Sequence, residues 1–178
     1  TVLPIPTITA GTNISGLTGC TSISNQLITK VCPCVTFNVK VFLEGPYQTA
    51  TTDMQTILNQ RGLLPGQTPI GQFAVATPAG QPYKVAPWNY LGTEGDTITT
   101  YPATVVDWVL VSLRLDSTTN VNAFRVTGWL HNDGHISFIN PCFDIANGAY
   151  FVVVEHRNHI GVMSPQKVLV QNGTMVQD

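Results

Sequence analysis

The stretch Val105-Val106-Asp107-Trp108-Val109-Leu110-Val111-Ser112-Leu113-Arg114 decides the fold. Within it, only Asp107, Ser112 and Arg114 interrupt a run of apolar side chains. A nearly continuous apolar run is typical of a strand that is covered on both faces, because both sets of alternating side chains must then avoid water. The sequence therefore predicts a central, doubly covered strand over residues 104–115.

More strands are predicted toward the C-terminus. Residues 123–130 and 135–139 are apolar runs separated by Asn132-Asp133-Gly134, and Asp-Gly between two such runs is a strong hairpin signal. Two further strands are predicted over residues 150–155 and 167–170, with turns at Asn147-Gly148 and Asn172-Gly173. This half of the chain is expected to consist of consecutive short strands.

The N-terminal half contains a different set of patterns. Residues 35–41 alternate apolar and polar side chains with a period of two, which predicts a half-buried strand. Residues 63–101 are rich in Pro and Gly, and they predict a long ordered loop with a few short strands.

One short helix is predicted between these two segments. Thr52 is the expected N-cap, and Gln55 three residues later completes a capping box. An apolar stripe and a glycine stop would define the rest of the helix: Met54, Ile57, Leu58 and Gly62.

Together these elements predict a mostly β fold. The expected architecture is an antiparallel β-sandwich of jelly-roll or immunoglobulin-like type, with seven or eight strands and one short helix. An extended N-terminal segment over residues 1–34 would precede a sandwich domain over residues 35–178. A chain of 178 residues is long enough to bury one substantial core.

Composition narrows the possible functions. Hydrophobic residues make up 43% of the chain and charged residues only 10%, against about 25% in an average globular protein. The surface must therefore be built largely from Thr, Asn, Gln, Ser and Gly, as in many β-rich extracellular proteins. The net charge of -2 and the lack of a basic cluster argue against nucleic acid as a partner.

The termini and apolar runs suggest an exported chain. No apolar run approaches the eighteen or so residues that cross a bilayer, so the chain is not expected to span a membrane. It begins at Thr1 without a charged and apolar leader, which we interpret as a mature form whose signal has been removed. An extracellular or cell-surface location is expected.

Four cysteines are more consistent with disulfides than with free thiols in such a chain. Cys32 and Cys34 flank Pro33 and are too close to pair comfortably with each other. Two pairings remain open: Cys20–Cys32 with Cys34–Cys142, or Cys20–Cys34 with Cys32–Cys142.

A metal site is the competing interpretation of the cysteines and histidines. Zinc ligands usually come as C-x2-C units paired with H-x3-H units, and the sequence has no C-x2-C unit to accompany its one H-x3-H spacing, His131 to His135. His156 and His159 are three residues apart at the end of a predicted strand, where they should not share a face. No metal and no cofactor are therefore expected.

The N-terminal segment is unusually apolar. Lys30 is the only charged residue within residues 1–39, and Pro4 and Pro6 exclude both a helix and a central strand. Its apolar residues at candidate assembly positions are Val2, Leu3, Ile5, Ile8, Ile14 and Leu17. Such a segment is expected to dock, either on its own domain as an edge strand or on a neighbouring molecule.

Two groups of residues have side chains suited to function. Asp107, Arg157, His156 and His159 offer acids, bases and a guanidinium, but an ion pair of Asp107 with Arg157 that organises the sheet is the stronger interpretation. Trp88 and Tyr90 form a possible sugar platform, against the simpler interpretation that they fill the core. No catalytic residue is assigned, and no enzyme activity is expected.

Five motifs occur in order along residues 40–165: 41–47 (VFLEGPY), 87–94 (PWNYLGTE), 105–114 (VVDWVLVSLR), 132–134 (NDG) and 152–164 (VVVEHRNHIGVMS). In this order they resemble an uncharacterised β domain that recurs in large secreted and surface proteins of Bacteroidota, often beside adhesion modules and a secretion-sorting tail. The resemblance implies a bacterial origin and an extracellular location, and it implies no reaction. The cysteine-bearing leader departs from that pattern and suggests an individual subunit.

Two functions follow as expectations. The first is an extracellular structural subunit that assembles head-to-tail with itself into a filament, by addition of its N-terminal strand to the next copy. The alternative is a cell-surface module for adhesion or for binding carbohydrate, with cell-surface or host glycans as ligands.

Overall fold

A computed structural model describes residues 34–71 and 75–177 of the chain. The described residues form nine strands and one helix. In chain order these are β1 (Tyr47–Gln48), β2 (Asp53–Met54), α1 (Ile57–Gln60), β3 (Val105–Arg114), β4 (Asn122–His131), β5 (Ile136–Ser137), β6 (Gly148–His156), β7 (His159–Met163), β8 (Val168–Gln171) and β9 (Thr174–Gln177). The predicted mostly β, sandwich-like antiparallel class is confirmed.

Seven strands form one strongly curled antiparallel sheet, with the order β5-β4-β3-β6-β8-β9. β7 also pairs with β6, alongside the C-terminal half of that strand, whereas β8 pairs with its first residues. The two remaining strands, β1 and β2, make a separate small hairpin. Most neighbours in the sheet are also close in sequence, so short connections account for most of the topology.

β3 is the central strand that the sequence predicts. It lies between β4 and β6, and nine of its ten residues are buried. Side chains in a strand alternate between faces. Val109, Val111 and Leu113 therefore enter the main core, while Trp108 and Leu110 enter a second core on the opposite face.

Each face of the sheet is covered by a different part of the chain. On one side, the main core is completed by residues of the segment before α1, among them Val35, Phe37, Leu43 and Met54. On the other side, the Pro- and Gly-rich loop supplies Tyr83, which is fully buried, and half-buried aromatic rings. This loop therefore replaces a second sheet as the cover of that face.

The N-terminal part of the described chain departs from the prediction in its hydrogen bonding. Residues 35–41 form only two isolated bridges, Val35 with Phe143 and Lys40 with His135. The alternation still predicts burial correctly, since Val35 and Phe37 are buried and the residue between them is exposed. Period-two burial thus does not require a continuous ladder. The loop at residues 63–71 and 75–101 contains no strand, because its backbone turns repeatedly.

The predicted helix is shorter than expected and begins later. α1 has four residues and its N-cap is Thr56, which makes no side-chain capping bond. Thr52 has a φ of 59° in the β1–β2 turn, so it is no N-cap, and Met54 belongs to β2. The first residues of the predicted capping box belong to the β1–β2 hairpin instead. The predicted stop at Gly62 is confirmed, with a φ of 69° just beyond the helix.

The predicted hairpins are confirmed. β4 pairs with β5 across Asn132-Asp133-Gly134, and β8 pairs with β9 across Asn172-Gly173. The sequence patterns predict no strand at β1, β2, β7 or β9. At β7 the reason is that the polar tetrapeptide His156-Arg157-Asn158-His159 looks like the start of a loop. Among the described residues, no helix has the length and apolar character that crossing a membrane requires.

Candidate functional site

An apolar groove runs between residues 38–44 and the sheet at β6 and β7. It consists of two adjoining cavities of about 350 and 380 Å³ that share Val41, Val154 and Val162. The floor continues onto Val152, Val168 and Met175. We call this feature the β6–β7 groove.

The groove marks a place where the second layer of the sandwich is incomplete. Val154 is 7% exposed, whereas Val162, its direct partner on β7, is 49% exposed. Cross-strand partners share one face of a sheet. The same face is therefore covered over β6 and uncovered over β7.

One wall of the groove is a backbone edge that lacks a partner among residues 34–71 and 75–177. Val41 N–H donates to the Gly134 carbonyl and the Val39 carbonyl accepts from Ile136 N–H, so this side of the segment is occupied. The N–H and C=O of Lys40 point to the other side, since successive residues of an extended chain alternate. Among the described residues they have no backbone partner. Within the described part of the chain, the wall thus offers the backbone donor and acceptor of Lys40 beside an apolar floor.

A buried polar cluster lies at one end of the groove. Arg157 Nη2 lies 2.8 Å from Asp107 Oδ1 and 3.0 Å from Oδ2, and His156 Nε2 lies 3.0 Å from Oδ2. Trp108 N–H also donates to Asp107 Oδ1 at 2.7 Å. The Asp107 side chain is only 1% exposed, so these bonds replace the water that a carboxylate would otherwise require.

The hydrogen-bond and ion-pair partners of Asp107 determine the direction of its pKa shift. Burial alone would raise its pKa, but the hydrogen bond from His156 and the positive charge of Arg157 outweigh burial and hold the pKa below its ordinary value. The four residues proposed as a structural polar cluster are thus brought together, with β3 supplying Asp107 and the β6–β7 turn supplying the other three.

His156 and His159 face each other, contrary to the sequence-based expectation. They are direct partners across the two-residue turn between β6 and β7, with ring centroids 4.8 Å apart and Nδ1 atoms 2.9 Å apart. Burial and the neighbouring His156 lower the pKa of His159. The expectation was wrong because a hairpin reverses the chain, so residues three apart can become cross-strand neighbours.

Trp88 and Tyr90 pack against the second core. The Trp88 ring meets the buried Tyr83 ring edge-on at 5.1 Å, and Tyr90 donates its hydroxyl to Glu94 while Arg125 lies 5.4 Å from its ring centre. Both side chains are half-buried. The arrangement leaves only part of each ring for a sugar.

Cys34 and Cys142 form a disulfide, with Cα atoms 5.0 Å apart. This agrees with the first of the two predicted pairings and excludes the second. Cys20 and Cys32 lie outside the described residues, as do the six candidate assembly residues Val2, Leu3, Ile5, Ile8, Ile14 and Leu17. Among the described residues, no group of three or more His, Cys, Asp or Glu side chains is arranged to hold a metal ion.

The β6–β7 groove is the candidate functional site that sequence reasoning missed. A weak signal for it exists, because Val162 and Met163 are apolar residues beyond the last predicted strand of that region. Whether they are covered depends on which segment packs above them, and that is a property of the tertiary structure. Comparisons with protein-family models, with curated proteins and with solved structures yielded no match to this chain.

Proposed function

We propose that the chain is an extracellular structural subunit that assembles head-to-tail with copies of itself into a filament. In this assembly, the N-terminal segment of one subunit adds as a strand to the β6–β7 groove of the next. The groove is the observation that carries the proposal, because strand addition requires an apolar floor beside a backbone edge, and the described residues leave this edge without a partner.

The N-terminal segment has the composition that the groove needs. Residues 1–29 contain no charged side chain, and the groove floor is formed by Val, Met and Ser side chains. Alternation in Thr7-Ile8-Thr9-Ala10 gives one apolar face to lay on the floor and one polar face for solvent. Pro4 and Pro6 lack an N–H, so they suit the ends of the added strand or the junction between subunits.

The N-terminal segment is also long enough to reach and fill the groove of a neighbouring subunit. The wall over residues 38–44 corresponds to about 23 Å of extended chain at roughly 3.3 Å per residue. About seven residues of the donor would fill it, and the rest of the 33 residues that precede Cys34 can cover the distance between two bodies. A donor at one end and an acceptor elsewhere form a heterologous contact, which propagates when it does not close into a ring.

An extracellular location fits the same proposal. The Cys34–Cys142 disulfide is compatible with an oxidising compartment. The motif resemblance to secreted and surface domains of Bacteroidota supports export to the bacterial surface, where a self-assembling subunit would act.

Deletion of residues 1–19 tests the proposal. The shortened chain lacks a donor but keeps its groove, so we expect no filaments in negative-stain electron microscopy and a monomer in size-exclusion chromatography. Thermal unfolding should show that the body stays folded. Filaments formed by the shortened chain would contradict strand donation.

A second variant blocks the acceptor instead. Val162→Lys places a charge on the groove floor at a half-exposed position, so the body should fold but accept no donor. Leu169→Lys is the matched control, because Leu169 is 38% exposed on β8 and lies outside the groove. We expect filaments from the control and none from Val162→Lys.

Mixing the two defective chains makes the test sharper. The Val162→Lys chain still carries a donor, and the shortened chain still carries a groove, so a mixture should give a heterodimer that cannot grow. If the N-terminal segment occupies the groove of its own subunit, no heterodimer forms and the full chain stays monomeric.

The alternative function is binding of cell-surface or host glycans at Trp88 and Tyr90. It has less support, because both rings are half-buried against the second core. A stable monomer that binds a glycan array, with binding lost in Trp88→Ala, would favour this alternative over assembly.

A further inference from the structure

The turn between β6 and β7 holds two imidazoles in an arrangement that the polar cluster alone does not explain. We propose that His156 and His159 form an open site for a divalent transition-metal ion, with copper(II) preferred. The proposal rests on the positions of the two Nδ1 atoms, and it does not depend on whether the chain assembles into filaments.

The hydrogen bonds of His156 define which of its nitrogens can bind a metal. Nε2 faces the Asp107 carboxylate at 3.0 Å, so Nε2 carries the proton. Asn158 N–H points at Nδ1 from 3.1 Å, which requires a lone pair on Nδ1. Neutral His156 therefore presents its free lone pair on the side where His159 lies.

His159 directs its own Nδ1 atom toward Nδ1 of His156. Its Nδ1 lies 2.9 Å from Nδ1 of His156. Without a metal, His159 must donate a proton to a lone pair that already accepts from Asn158. With a metal, both nitrogens act as ligands, and the Asn158 N–H turns to solvent, which is accessible because Asn158 is exposed.

The separation of 2.9 Å between the two nitrogens favours one class of ion. Metal–imidazole bonds of about 2.0–2.1 Å that meet at a right angle place their nitrogens about 2.9 Å apart, whereas a tetrahedral angle places them about 3.3 Å apart. Right angles belong to the tetragonal and octahedral geometries of Cu²⁺ and Ni²⁺, and Cu²⁺ is the strongest binder among the first-row divalent ions.

The surroundings provide the outer shell of a metal site. Asp107 accepts from the far nitrogen of His156, which is the carboxylate–histidine arrangement that fixes the tautomer and makes the ligating nitrogen more basic. Arg157 offsets the charge of Asp107. Glu44 lies at the same cavity as His159 and adds a negative charge that acts on it.

An ion and its water ligands have room to enter. Both imidazoles line two cavities, of about 380 and 260 Å³. Two protein ligands leave the remaining coordination positions to water. The site would therefore exchange its metal readily and would bind more weakly than a closed site with four protein ligands.

Titration of the full chain with CuCl₂ tests the inference, followed by calorimetry and by electron paramagnetic resonance of the copper-loaded protein. We expect one site per chain, two equatorial imidazole nitrogens, and affinity that falls in the order copper, nickel, zinc. His159→Ala should weaken copper binding by at least about tenfold.

Two further variants separate ligation from structure. His159→Gln can still donate a hydrogen bond to His156, so it should preserve the unfolding temperature of the apo protein while it weakens copper binding as much as His159→Ala does. His135→Ala removes a half-buried histidine outside the site and should leave binding unchanged. Wild-type affinity in His159→Ala, loss of binding in His135→Ala, or a spectrum without two imidazoles would each overturn the proposal.

Discussion

At the scale of single residues, Asp107 shows how a buried charge can organise a fold. Its carboxylate accepts bonds from the Trp108 backbone, from Arg157 and from His156. These bonds connect the start of β3 to the β6–β7 turn, although the two are about fifty residues apart in sequence. Removing the charge would leave Arg157 without its partner in a partly buried position.

Asp107→Asn is therefore expected to lower the free energy of unfolding at pH 7 by about 3–5 kcal/mol, because it breaks a buried ion pair. Since the pKa of Asp107 is lowered in the folded state, its contribution is fully present above its ordinary value of 3.8 and is lost as the pH falls through the lowered pKa. The difference in stability between variant and wild type should shrink as the pH falls below about 4, as measured by urea denaturation.

Asp96→Asn is the control for this prediction. Asp96 forms an exposed ion pair with Lys84, and such pairs contribute only about 0–1 kcal/mol. An Asp107→Asn variant as stable as this control at pH 7 would show that the cluster does not organise the sheet.

At the scale of elements, the hairpins are the parts of the fold with the clearest local cause. In the β4–β5 turn, Gly134 has a φ of 86°, which side chains rarely adopt. A Cβ at this position would also lie 2.8 Å from the Phe42 ring. The turn therefore needs glycine both for its own backbone and for the segment that packs on it.

Gly134→Ala is predicted to lower the free energy of unfolding by about 1–3 kcal/mol, as measured by chemical denaturation. Gly161→Ala on β7 is the matched control, because the nearest atom to its added Cβ is a flexible Glu155 side-chain carbon at 3.3 Å and its φ is not in the left-handed region. Equal effects of the two substitutions would contradict the role given to the turn.

Elements also show where sequence patterns mislead. The capping-box pattern at Thr52 is satisfied in sequence, yet residues 53–54 pair with β1 and the N-cap is Thr56, four residues later than the box indicates. A short helix gains little from its own hydrogen bonds, because nucleation is costly. Burial of Met54 in the main core, at 3% exposure, therefore decided the local structure.

At the scale of the whole molecule, one disulfide connects the first described residue, Cys34, to the segment that precedes β6. The Cys34–Cys142 disulfide closes a separation of 108 residues and holds the segment that carries Val35 and Phe37 against the sheet. Because that segment also forms the wall of the β6–β7 groove, the bond supports the proposed acceptor.

The double variant Cys34→Ala/Cys142→Ala is expected to lower the free energy of unfolding by about 2–5 kcal/mol, since an unfolded chain without the bond gains conformational entropy. Guanidinium denaturation under non-reducing conditions measures this loss. The control variant Cys20→Ala/Cys32→Ala keeps the Cys34–Cys142 bond. It should therefore lower the free energy of unfolding less than Cys34→Ala/Cys142→Ala does. Peptide mapping that finds Cys34 bonded to Cys20 would contradict the pairing.

The sequence alone determined the β class, the central strand, the β4–β5 and β8–β9 turns and most of the burial pattern. Those features depend on the period of apolar side chains and on turn residues, and both are local. The pattern of residues 105–114 defines a doubly buried strand whatever covers it.

Only the tertiary structure decided which segment covers each face of the large sheet and which strand keeps an exposed face. The Pro- and Gly-rich loop covers one face, while residues 35–44 cover the other and leave β7 exposed. The contact of His156 with His159 also required the chain to reverse between them. These features depend on which distant segments pack together, and a period of two or of 3.6 residues carries no information about that choice.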